Sequence, residues 1–411
     1  MSMRQFILNI FFNNASQGLQ FGSRWLFNIT LINILEIKSY AIFSFVYSIS
    51  NILLSILPFG SSIFLINEVK DVDESKNKLF DSILIAGVLF FFFLIIYLVL
   101  SPFLNYIKGW DLAIYGLFLG FVLSLNLILF SFFKGIGNFI KELKAYSVFF
   151  VFLILFIGYL FFFKNSIKSL HFLFLILISI NSIVFILTLF TNTILLKTVF
   201  NKNLFCKKRL YKAFFERKYF GFQEIATAVY TQAGMLILFY LLNTETYGYY
   251  RALFVIVSPL FLITVALSQV VLNFLKSKKI KQLIVYFRRI QFFSFGAGAI
   301  LILIIYFLKD VVFQIIKVNA TNEIEIAFKL VLVTALLRFV FSNYEMLIII
   351  FNKQKYRFYI VLNIAIINIV LLFSLLPEYG IIGAVLTNLI SYFLLLLGLL
   401  IISERTIFLK K

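Results

Sequence analysis

The stretch QGLQFGSRWLFNITLINIL, residues 17–35, is apolar enough to sit in lipid, yet it carries Arg24 near its middle, with Gln17, Gln20 and Asn28 around it. The polar residues Asn13, Gln17, Gln20, Arg24 and Asn28 follow one another at intervals of 4, 3, 4 and 4. That is one face of an α-helix. An arginine at the centre of a membrane helix costs about 2.5–3.5 kcal/mol on insertion scales, so it usually faces a bundle interior or a watery path. This segment therefore reads as a membrane helix with one functional face.

The rest of the chain agrees. Of 411 residues, 63% are apolar and 13% charged, and the mean hydropathy is +1.05. Soluble domains run at about 45–50% apolar and about 25% charged. The chain reads as an all-α integral membrane protein that crosses the bilayer many times. Its net charge of +20 does not indicate nucleic acid, because the basic residues cluster in short connections between apolar segments. One cysteine, Cys206, and one histidine, His171, leave no basis for an internal disulfide or a metal site. The start resembles a signal peptide, but its apolar stretch is long, is broken by polar residues and has no small-residue cleavage site. It is expected to be a retained helix.

A spanning helix needs about 20 mostly apolar residues. Such runs number about twelve, near 8–33, 40–66, 79–101, 112–133, 146–163, 170–196, 220–242, 249–275, 291–308, 327–350, 358–376 and 381–402. With the N-terminus inside, 27 Lys and Arg fall in inner connections and 8 in outer ones, leaving Arg24 and Arg338 within helices. That asymmetry predicts both termini on the cytoplasmic side.

The longest basic connection follows the sixth run. It divides the chain into an expected six-helix bundle over 1–196, a basic cytoplasmic linker over 197–219 and a second six-helix bundle over 220–411. The linker reads as a positive-inside connector with a short surface helix. A shift of 207 residues lays Tyr40-Ala41-Ile42-Phe43 on Tyr247-Gly248-Tyr249-Tyr250, Gln17 and Gln20 on Glu224 and Thr227, and Arg24 on Thr231. Two related halves with a substrate site at their interface are a common transporter plan.

Other helices also carry polar stripes. The second has Ser44, Ser48, Asn51 and Ser55; the seventh Glu224, Thr227 and Thr231; the eighth Arg251 and Ser258, then Gln269 and Asn273; the tenth Thr334, Arg338, Ser342 and Glu345. Ser, Thr and Asn stripes are commonly helix–helix glue. The charges call for more. Arg338 either lines a path or pairs with Glu345, two turns away on the same face. Glu224 is either a partner of Arg24 across the halves or an interfacial residue. Arginines outnumber acids in the helices, which favours an anionic substrate, since the planar guanidinium grips phosphate with paired hydrogen bonds. Candidate substrate-binding residues are thus Arg24, Gln17, Gln20, Asn28, Asn51, Thr231, Arg251 and Arg338. The sequence contains no GxxxxGK[ST] phosphate loop and no GxSxG elbow, so no enzyme chemistry, catalytic residue or cofactor is expected.

Three segments, FGSRWLFNITLINIL (21–35), YAIFSFVYSISNILLSILPFGSSIFLINEV (40–69) and NTETYGYYRALFVIVSPLFLITVALSQVVLNFL (243–275), resemble polysaccharide repeat-unit transporters. These are the Wzx-type O-antigen flippases of the multidrug/oligosaccharidyl-lipid/polysaccharide exporter superfamily. The likeness covers nearly the whole chain, with Ala41 where glycine is usual. It implies two pseudo-symmetric six-helix bundles around a central cavity in the inner membrane of a bacterium. It also implies a substrate of undecaprenyl-pyrophosphate carrying an oligosaccharide of O antigen, capsule or another surface polysaccharide, moved by alternating access. Membrane lipids, a polysaccharide polymerase and chain-length proteins are the partners it suggests. Glu224 or Glu345 would couple ions. Two other readings stay open: a multidrug exporter of the same superfamily, expected to carry acidic cavity residues, and a membrane-embedded polysaccharide polymerase or ligase, expected to carry a long outer loop.

Overall fold

The computed structural model describes residues 3–69, 72–163, 169–190, 207–229, 232, 234–276, 279–318, 320–351 and 353–405. Among these the chain is helical with no strand. The helices are α1 (Met3–Ile34), α2 (Ile37–Ile56), α3 (Ser61–Glu68), α4 (Val72–Leu104), α5 (Ala113–Gly135), α6 (Phe139–Phe162), α7 (Leu170–Phe190), α8 (Lys207–Ala228), α9 (Gly234–Leu241), α10 (Thr244–Lys276), α11 (Ile280–Phe307), α12 (Lys309–Ile315), α13 (Asn322–Ile350) and α14 (Gln354–Ser403).

Seven helical stretches among the described residues are long and apolar enough to cross a membrane, in α2, α4, α5, α6, α7, α11 and α14. Helices α1, α10 and α13 have 32, 33 and 29 residues, long enough to span. Their polar and charged residues lower their hydropathy. The outward faces are apolar, as lipid requires: Phe91, Phe92 and Ile95 on α4 and Phe292, Phe293 and Ile300 on α11 are all exposed. Helix α14 is two helices end to end. Gly380 breaks it at φ 51°, ψ −127°, three residues after Pro377. Only glycine adopts such a backbone readily, so the two last expected spans meet here.

The structure differs from the expected spans in two places. The second span is interrupted at Pro58-Phe59-Gly60, where Phe59 (φ 44°) and Gly60 (φ 73°) turn left-handed; α2 ends and the short α3 begins. The other is an extension: α8 starts within the expected linker, where a short surface helix was expected, and runs on without a break into the expected seventh span, which α9 continues.

The chain forms two compact units. The first comprises residues 1–27 and 42–236, the second residues 28–41 and 237–411. In the first unit an aromatic core joins four helices, α1, α2, α6 and α7. Phe27 meets Phe43 and Phe156 at 6.0 Å each between ring centroids, and Phe43 stacks on Phe174 at 5.0 Å. Polar glue reinforces it: the Asn126 amide donates to the Asn181 carbonyl at 3.0 Å, and the Ser124 hydroxyl to the Leu53 carbonyl at 3.3 Å. Each such bond removes a polar group from contact with lipid.

In the second unit α11 and α13 are clamped. The Asn343 amide donates to Gln291 Oε1 at 2.9 Å and Ser294 Oγ at 3.0 Å, while Gln291 donates to the Val340 carbonyl at 2.7 Å. Asn388 of α14 donates to the Tyr250 hydroxyl at 2.6 Å. Residues 28–41 are fastened by Asn33, whose amide donates to the Ile315 carbonyl at 2.8 Å and whose carbonyl accepts from Lys317 Nζ at 2.7 Å. Lys38 and Glu245 add an exposed ion pair at 3.9 Å. Thr321 caps α13 by accepting from the Ile324 amide, with Glu323 and Glu325 in the first turn, where the helix dipole favours acids.

Candidate functional site

Arg24 is half-buried in the first unit. It lines an internal cavity with Tyr47, Leu123, Phe149 and Asn181 among others, of about 20 Å³. A space of that size accommodates about one water molecule. Gln17 and Gln20, one and two turns earlier on α1, are also half-buried, as is Asn51 on α2. Asn28, one turn beyond Arg24, is half-buried and belongs to the second unit. Thr231 lies outside the described residues.

The second unit holds the other two candidate arginines, Arg251 and Arg338. Arg338 donates to the Tyr392 hydroxyl at 3.4 Å and lies 4.8 Å from the centroid of the Phe261 ring. Glu345 does not pair with it. Its carboxylate accepts from Arg357 at 3.1 Å, because the turn after α13 brings the start of α14 alongside. Arg251 is half-buried near the start of α10, and its Nε is buried without a hydrogen-bond partner. An unsatisfied guanidinium N–H in such a place is a ready donor to an anion.

A dense polar network of the first unit lies on α8. Arg217, 1% exposed, donates from Nη1 to the Ser61 and Ser82 hydroxyls at 3.0 and 2.9 Å and from Nη2 to the Lys78 carbonyl at 3.2 Å. Its flat face lies 4.3 Å from the Phe64 ring centroid, a cation–π contact. A guanidinium keeps its charge in proteins, and Asp81 and Glu216 lie near enough to interact with it electrostatically. Two turns before it, Arg209 grips Asp81 with Nε and Nη2, both at 3.0 Å. Two turns after it, the Glu224 carboxylate accepts from the Gly60 amide at 2.7 Å and the Ser62 hydroxyl at 2.5 Å. Between them Gly221 lies so close to the break that an added Cβ would come within 2.7 Å of the Phe59 ring, and one on Gly60 within 2.5 Å of Phe220.

This network ties α8 to the α2–α3 break and to the start of α4. Arg217 was expected only as one more inward-facing loop charge. The signal that could have found it is spacing: Arg209, Arg217 and Glu224 recur about every two helical turns, on one face. Among the described residues no group of His, Cys, Asp and Glu could hold a metal.

No family model and no curated protein matches the chain. Solved structures do. The lipid II flippase MurJ, in an inward closed conformation, superposes with a TM-score of 0.69 at 14% identity, covering 98% of this chain and 88% of that one. An inward-facing multidrug resistance MATE family transporter of the MOP superfamily gives 0.66 at 12% identity, covering 95% and 96%. A MOP superfamily transporter from Pyrococcus furiosus, described by a reverse polarity of its binding pocket, gives 0.66 at 12%, covering 96% of each. The fold is therefore that of MOP superfamily transporters.

Proposed function

We propose that this protein is a flippase that moves undecaprenyl-pyrophosphate-linked oligosaccharide repeat units across the cytoplasmic membrane. The observation that carries the reading is Arg24: a permanent charge on the polar face of a membrane helix, half-buried inside the bundle. Charges held in that setting usually belong to a substrate or ion path. Arg251, with its unsatisfied Nε, and Arg338 repeat the sign in the second unit. Arginine suits a pyrophosphate because it stays charged and donates in pairs. The fold it shares with a lipid II flippase is compatible with a lipid-linked cargo.

In this reading Gln17, Gln20, Asn28, Asn51 and Thr231 provide further polar contacts for the headgroup, while the polyprenyl tail stays in the bilayer. The space beside Arg24 holds about one water molecule, so the headgroup is admitted only when the helices part, as alternating access requires. Two related six-helix halves joined by a basic linker, both termini in the cytoplasm, and a bacterial inner membrane complete the proposal. Glu224 and Glu345 are already engaged, with Gly60 and Ser62 and with Arg357, which favours structural roles for both over ion coupling.

The second reading, multidrug export, is favoured by the likeness to MATE transporters. Reconstitution in liposomes separates the two. Protein-dependent movement of a labelled lipid-linked oligosaccharide between leaflets is the expected result. Uptake of organic cations without movement of that lipid would replace the flippase reading with the exporter one.

A further inference from the structure

The first three turns of α6 and the last two turns of α7 lie antiparallel and leave a crease between them. Lys141, Lys144, Ala145 and Val148 line it from α6, and Val184, Leu187 and Thr188 from α7, around a cavity of about 230 Å³. On α6 the lining residues recur at i, i+3, i+4 and i+7, and on α7 at i, i+3 and i+4. Each set is one helix face. The crease lies outside the Arg24 face and the α8 network.

Its chemistry is amphiphilic. Two lysines sit at the mouth, in the first turns of α6, where the helix dipole also favours an anion. Glu142, the acid between them in sequence, is buried and already paired with Lys134 at 2.9 Å, so its charge is matched elsewhere. Lys144 is exposed, and Lys141 sits 5.0 Å from the Phe133 ring centroid. Below the lysines Val148 and Val184 form an apolar floor. Beyond it the surface continues apolar and exposed at Leu155 on α6 and Ile183 on α7.

We propose that this crease binds an anionic phospholipid of the leaflet that faces the basic connections, with Lys141 and Lys144 on its phosphodiester. The cavity has room for a headgroup and the first chain carbons, and the acyl chains run along Val148 and Val184 onto the exposed apolar surface. Basic pockets between spanning helices are a recognised setting for anionic headgroups. A free inorganic anion would leave the apolar floor unused. The inference goes beyond the flippase reading and holds for any cargo.

Photo-crosslinking of the full chain in nanodiscs tests it, using phosphatidylglycerol with a diazirine in one acyl chain and mapping the labelled peptides. The expected result is labelling within 141–148 and 184–188, at least several-fold above the matched phosphatidylcholine probe. Labelling should fall about fivefold for Lys144→Ala, the exposed position, and more for Lys141→Ala/Lys144→Ala, given the usual contribution of one basic residue near an anionic surface. Lys141→Arg/Lys144→Arg should keep it. Labels at other sites that stay constant across the variants report that the protein is folded. Equal labelling by phosphatidylcholine, labels confined to other helices, or unchanged labelling in Lys144→Ala would overturn the proposal. Complete competition by millimolar inorganic phosphate would reassign the crease to a free anion.

Discussion

Glu224 caps a helix that is not its own: its carboxylate accepts the amide of Gly60, the residue that opens α3, at 2.7 Å. Gly60 has no side chain to offer, and no side-chain cap closes α3 from within. A carboxylate at a helix N-terminus satisfies an orphan amide and complements the dipole. Ser62 Oγ donates to the other oxygen at 2.5 Å. Glu224→Ala strands both donors, at a cost of about 1–3 kcal/mol for buried polar groups left unmade. Glu224→Gln keeps one carbonyl acceptor and loses less. Thermal unfolding in detergent should rank wild type above Gln above Ala, with transport following stability. Full stability together with lost transport in Glu224→Gln would restore an ion-coupling role.

The contact between α8 and the α2–α3 break tolerates no added carbon. A Cβ at Gly221 would lie 2.7 Å from Cδ2 and Cε2 of the Phe59 ring and 2.8 Å from its Cγ, and Phe59 is itself stacked on Phe214 at 4.2 Å. Overpacking of this kind costs about 1–3 kcal/mol. Gly221→Ala should therefore lower the unfolding midpoint, and Gly221→Val more so. Gly18→Ala is the control: a Cβ there meets nothing within 4 Å, and its midpoint should stay near wild type.

Arg217 combines three hydrogen bonds and one aromatic face in a buried site. Its removal leaves buried neutral acceptors without a donor, at about 1–3 kcal/mol. Arg217→Ala should accumulate poorly in the membrane and unfold early. Arg217→Lys should recover only part, because an ammonium cannot reach Ser61, Ser82 and the Lys78 carbonyl as the planar fork does. Expression level and unfolding midpoint read both effects. A lysine variant equal to wild type would show that charge alone suffices.

The spans were legible because lipid imposes long apolar runs, and hydropathy reads those directly. The α2–α3 break was not: Leu57, Pro58 and Phe59 are apolar enough to hide it, though Pro58 and Gly60 mark it in hindsight. Arg217 was hidden for the opposite reason. Counting basic residues treats each as a solvated loop charge, and that count cannot see a guanidinium buried by packing against α3 and α4. Glu345 is two turns from Arg338 on one helix face, yet Arg357 holds it at 3.1 Å, because a chain reversal brings distant positions closer than helical spacing does. The grouping of residues 28–41 with the second unit depends on bonds such as Asn33 to Ile315, 282 positions apart, which no local pattern reports.

Arg24 is where the functional reading is most exposed to test. It stands on a face of α1 with Gln17 and Gln20, beside Tyr47 and Asn181 in the small cavity. If it receives a phosphate-linked headgroup, Arg24→Ala should abolish movement of the lipid-linked oligosaccharide while membrane insertion and unfolding midpoint hold or rise, since a costly intramembrane charge has been removed. Arg24→Lys should retain part of the transport, keeping the charge but losing paired donation. Transport in liposomes and complementation in cells, each set beside the unfolding midpoint, separate this from a structural role. A structural arginine would lose stability and transport together. A cargo-binding one loses transport alone, and full complementation by Arg24→Ala would remove Arg24 from the substrate path.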